Sequence, residues 1–205
     1  MAEATIELPL SFQVPEVFRD IDFTVSAEEN TNKLLDELTA IAPRPSDEEI
    51  AHAVLAQQTM YEMLAAAGAV YAGILLAGPG KGKADAKLTS LMLTVTARPS
   101  ELSNDQTVHR LARTMGAIYP EAEVGVVQMH TGPAVLLTEE TKVPRPVNLL
   151  DNDDSPSVVR QMHVFVPIPG RLAMADFSIA TENTAEWDDY VAILGQVCKT
   201  IRFAD

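Results

Sequence analysis

The chain has 205 residues, 47% of them apolar, and a formal charge of −14. That length fits one folded domain, residues 1–205, with a sizeable core. The negative field repels phosphate backbones and anionic headgroups, so no nucleic acid and no membrane insertion are expected, and basic protein segments are the better partners.

The charge is uneven, since residues 1–50 hold twelve Asp or Glu against three Lys or Arg. One cysteine, Cys198, excludes a disulfide within the chain. MAEATIELPLSF has neither a basic n-region nor an apolar h-region, and no run approaches the ~20 apolar residues of a membrane helix. A cytoplasmic protein is the expectation.

In chain order, Thr5–Phe12 and Ile21–Val25 read as short strands, the first demoted to an edge or extended arm by its prolines. Ser26 followed by Glu29 is a capping box, and so is Ser46 followed by Glu49. Each opens a helix, with Leu34, Leu35, Leu38 and Ile41 striping the first and Ile50, Val54, Tyr61 and Leu64 the second. Pro43 and Pro45 separate them and Gly68 ends the second, which predicts an αα-hairpin over 27–67.

Val70–Ala77 and Lys87–Ala97 read as strands, and a third capping box, Ser103 to Gln106, begins a helix that Pro120 stops. Glu123–Met129 and Ala134–Thr138 form a hairpin around Thr131-Gly132-Pro133. Residues 139–157 are polar and proline-punctuated, and read as a long exposed loop. Two apolar runs then flank Pro169-Gly170, a pair suited to a type II turn. A final helix sets Trp187, Tyr190, Val191, Leu194, Val197 and Ile201 on one face. Hairpin-joined strands with four one-striped helices predict an α+β fold: an α/β/α sandwich around a mostly antiparallel sheet.

Chemistry-bearing templates fail. In the loop before Ala84, Ala77 stands where a P-loop needs its first glycine, and Ala84 where it needs Ser or Thr. Asp151, Asp153 and Ser155 hint at a calcium loop, but Pro156 replaces the required glycine and Met162 the required glutamate. His52, His109, His130 and His163 form no ligand spacing. Cys198, on an apolar helix, reads as a buried inert thiol. No catalytic residue, metal ligand or cofactor is therefore assigned.

The C-terminal unit carries a resemblance. Val166-Pro167-Ile168-Pro169-Gly170, the strand Met174–Thr181 with Phe177-Ser178 and Ala180-Thr181, the helix led by Trp187, and Thr200-Ile201-Arg202-Phe203 resemble the end of Mog1/PsbP-like proteins, including actinobacterial LpqN-type relatives. The resemblance spans about 85–203. It implies an α/β/α sandwich and a non-catalytic binding, accessory or chaperone-like role.

The leading expectation is a protein-binding module. Its candidate surface is the acidic side of the first long helix, Glu28, Glu29, Asp36 and Glu37, suited to a basic segment, together with the basic loop tip Lys81 and Lys83. The alternative is a small enzyme or an apolar-ligand binder with a site assembled from distant residues. His163, Asp176 and Arg160, polar groups in apolar strands, are its first suspects.

Overall fold

The computed structural model describes residues 9–40, 46–77, 89–100, 105–143 and 157–204. Nine strands and four α-helices lie among them: β1 (Leu10–Ser11), β2 (Arg19–Ile21), α1 (Ala27–Ala40), α2 (Asp47–Ala66), β3 (Ala69–Ala77), β4 (Thr89–Pro99), α3 (Asp105–Ile118), β5 (Glu123–Met129), β6 (Gly132–Val143), β7 (Ser157–Pro167), β8 (Ala173–Thr181), α4 (Trp187–Lys199) and β9 (Arg202–Phe203). Seven strands form one sheet in the order β2-β3-β4-β8-β7-β6-β5, every neighbouring pair antiparallel. β1 and β9 pair separately. This is the expected α+β sandwich, with helices on both faces of an antiparallel sheet.

Alternation along the strands assigns the faces. Leu91, Leu93 and Val95 of β4 share one face with Phe177 and Ile179 of β8 and with Met162 and Val164 of β7, as the register requires. α4 packs there through Trp187, Tyr190, Leu194 and Val197, and Ile201 beyond it completes the cluster. The N-terminal arm joins them, with the Phe12 ring edge-on to Phe177 at 5.3 Å and to Tyr71 at 5.7 Å. On the opposite face α3 closes a smaller core of Val108, Val135, Leu137, Phe165 and Met174. α1 and α2 pack together, and α2 meets β3.

Local rules set the boundaries. Glu29 N–H donates to Ser26 Oγ (3.1 Å) and Ser26 N–H to the Glu29 carboxylate (3.3 Å), so the capping box forms as read. The helix Ser46 introduces begins at Asp47, and Gly68 ends it with φ +75°. Arg171 N–H donates to Ile168 O (3.2 Å) across Pro169-Gly170, with Gly170 at φ +69°, which is the type II turn.

Several boundaries moved. Residues 139–143 and 157 are strand, not loop: β6 continues to Val143 and pairs Lys142 with Val158 and Glu140 with Arg160. Their side chains are polar because cross-strand pairs, not a core, receive them. Residues 144–156 lie outside the described residues, as do the third capping serine, Ser103, and Ile41. The strand read at Ile21–Val25 is Arg19–Ile21, because Asp22 then turns the chain by accepting from Thr24 N–H (2.8 Å). Of Thr5–Phe12, Leu10–Ser11 is strand and residues 1–8 lie outside the described residues. The β5–β6 turn centres on His130-Thr131, since Gly132, at φ +116°, already pairs with Met129.

Candidate functional site

Two places gather chemistry, one on each face of the sheet. The first arises from a shortage of cover. Seven strands at ~4.8 Å spacing make a sheet far wider than one helix, whose diameter is ~10–12 Å. α4 packs on β8, and the N-terminal arm reaches Tyr71 and Phe177. Over β5, β6 and β7 the same apolar face is left under a cleft of about 370 Å³. Its floor is Val127, Met129, Leu136, Met162 and Val164, and its helical wall is Val191, Leu194, Gly195 and Cys198. Gln128, His130 and Lys199 supply its polar groups.

Gly195 is the informative wall residue. A glycine inside a helix costs about 1 kcal/mol relative to alanine. A Cβ built on it would meet nothing within 4 Å. The helix thus keeps a destabilising residue where a larger one would project into open space. Val191, Leu194, Gly195 and Cys198 follow the three-and-four spacing of one helix face, and a glycine inside such a stripe is the signal that sequence reasoning passed over. Cys198 is buried, as expected, and burial pushes its thiol up to about 12, which favours the neutral form near pH 7.

His130 lies where the β5–β6 turn meets the end of α4. Arg202 Nη1 donates to His130 Nε2 (2.8 Å), to Ile201 O (2.7 Å) and to Lys199 O (3.1 Å). His130 Nε2 also lies 2.8 Å from the Ile201 carbonyl, so the ring accepts from Arg202 when its proton is on Nδ1 and donates to that carbonyl when its proton is on Nε2.

The second place lies between α3 and the αα-hairpin, on the opposite face. Asp176, 1% exposed, accepts from His163 Nδ1 (3.0 and 3.2 Å) and from Arg98 Nε (3.1 Å). The His163 ring stacks on Phe165 at 5.6 Å, and Thr94 Oγ1 bonds Ser178 Oγ (2.6 Å). Thr96 Oγ1 is buried without a hydrogen-bond partner among the described residues. Of the three suspects, His163 and Asp176 are brought together and Arg160 is not. Positions 160 and 163 differ by an odd number, so the pleat sends them to opposite faces. Arg160 instead lies over the Trp187 ring, 4.5 Å from its centroid, and 3.6 Å from Glu140. Arg98, which sequence reasoning missed, takes the cationic place beside Asp176. The pair satisfies a buried carboxylate twice over, which is what burial of such a charge requires.

The acidic residues of α1 are all exposed. Two are engaged within the chain, Glu29 in its capping box and Glu37 with Arg19 at 2.6 Å. Lys81 and Lys83 lie outside the described residues. Among the described residues, no three His, Cys, Asp or Glu side chains are grouped to hold a metal ion, and no helix is long and apolar enough to cross a membrane.

No protein-family model matches the chain, and no curated protein matches it. Among solved structures, the chain is similar to cyanobacterial PsbP (CyanoP) from Synechocystis sp. PCC 6803, with 11% identity and a TM-score of 0.32 over 63% of this chain and 81% of that one.

Proposed function

We propose that the protein is a non-catalytic binding module that takes up a small apolar ligand between α4 and strands β5–β7. The observation that carries this is the cleft of about 370 Å³, whose floor and helical wall are apolar side chains and Gly195. That volume falls within the ~300–1,000 Å³ usual for ligand pockets, and a cavity of ~150 Å³ already accepts benzene. The reading keeps the accessory role implied by the resemblance to Mog1/PsbP-like and LpqN-type proteins. Decanol at a hundred-fold excess over its Kd should stabilise the folded chain by about 2.7 kcal/mol, or roughly 5–10 °C in thermal midpoint. Gly195→Leu, which fills the cleft, should abolish that shift without lowering the midpoint of the free protein. A wild-type midpoint that decanol leaves in place, or an equal shift in both proteins, sinks the proposal.

A protein partner with a basic segment is the second reading. α1 buries Leu34 and leaves Glu28, Glu29, Asp36 and Glu37 exposed. Glu28 and Asp36 are the residues to reverse, because Glu29 and Glu37 also serve the fold. Replacing both with Lys should weaken binding of an oligolysine peptide at low salt and leave the thermal midpoint nearly unchanged. Equal binding by both proteins across a salt titration would remove this reading.

A further inference from the structure

We propose that the ligand of the cleft is an anionic amphiphile, an apolar chain bearing one carboxylate, with its head between Lys199 and His130. This rests on the cleft reading and adds the chemistry of the head group. The ionisable side chains among the lining residues are His130, Cys198 and Lys199. None of the twelve lining residues is Asp or Glu, in a chain with 29 of them and a net charge of −14. Charge at the cleft is thus opposite in sign to charge on the whole molecule.

Lys199 stands in the last turn of α4, where a cation is favourable whatever the cleft holds. The same helix end presents carbonyls that would repel an anion. Here those carbonyls are occupied. Arg202 Nη1 donates to the Lys199 and Ile201 carbonyls, and Thr200 Oγ1 donates to Val197 O (2.6 Å). Arg202 offsets the helix end, so the Lys199 ammonium is left to act outward. In the tautomer that accepts from Arg202 at Nε2, rather than donating from Nε2 to the Ile201 carbonyl, the Nδ1–H of His130 is a second donor for a carboxylate. The lining thus joins an apolar floor and wall to a cation and a neutral donor, the pattern an amphiphilic acid matches.

Decanoate and decanol, which share a chain and differ at the head, separate the two layers of the argument. Titration calorimetry at low salt should give decanoate about five-fold the affinity of decanol, the range of a partly exposed ion pair. Lys199→Glu should erase or invert that preference, read as the ratio of decanoate to decanol affinity within each protein. Equal affinities in the wild type, or a preference that survives Lys199→Glu, would overturn the head-group assignment and leave the cleft reading standing. Failure of both ligands to bind, or decanoate binding that persists in Gly195→Leu, would overturn both.

Discussion

α4 and the αα-hairpin, on opposite faces of the sheet, are held by different forces. α4 is held by apolar burial: Trp187, Tyr190, Leu194 and Val197 are buried with Phe177 and Ile179 in one cluster. The αα-hairpin is stitched by polar groups. Gln57, 4% exposed, donates to Asn30 O (2.8 Å) and accepts from Arg19 Nη1 (3.0 Å). Asn30 donates to Asp22 O (2.7 Å) and accepts from Asp22 N–H (3.2 Å), while Tyr61 donates to Val25 O (2.9 Å). Apolar burial is non-directional and tolerates an uncovered margin, which becomes the cleft beside α4. A buried polar network fixes register and tolerates no missing member. The apolar attachment therefore leaves room for a ligand, and the polar one does not.

The largest expected effect tests the apolar attachment. Leu194 is 1% exposed and faces both the core and the cleft. Leu194→Ala should cost about 2–5 kcal/mol, read as a fall in the urea midpoint, with the upper end expected if the new space opens into the cleft and cannot collapse. An unchanged midpoint would mean that α4 is not part of the cooperative core.

Legibility in the sequence follows the range of the interaction. The capping box at Ser26, the type II turn at Pro169-Gly170 and the stripe led by Trp187 depend on residues a few positions apart; the first two formed as read, and the stripe formed up to Val197, with Ile201 reaching the same core from beyond the helix end at Lys199. Arg160 failed as a partner of His163 because its apolar surroundings drew notice before the pleat parity did. Glu139–Val143 read as loop because the strand's polar end answers to cross-strand partners some twenty positions away, such as Arg160 for Glu140. The cleft was not legible at all. It is a gap left by the width of the sheet and the placement of α4, and no residue announces a gap except Gly195, whose absent side chain is silent until its neighbours are known.

The smaller expected effect tests the polar attachment. Gln57 lies on α2 between Val54 and Tyr61, on the face an apolar residue would be expected to fill. Gln57→Ala removes two hydrogen bonds and leaves the Asn30 carbonyl without its partner from α2, a loss of about 1–3 kcal/mol. Truncation also removes apolar contact, so the alanine variant alone cannot say which force matters. Gln57→Leu can. It keeps comparable bulk, withholds the amide and leaves Asn30 O equally unpaired. If the hairpin is held by its polar network, Gln57→Leu should lose about as much stability as Gln57→Ala, with faster amide exchange in α1 and α2 and little change in α4. If leucine restores the wild-type midpoint, the amide contributes only its volume. The αα-hairpin and α4 would then be attached by the same force, and the contrast between these two attachments would be one of composition alone.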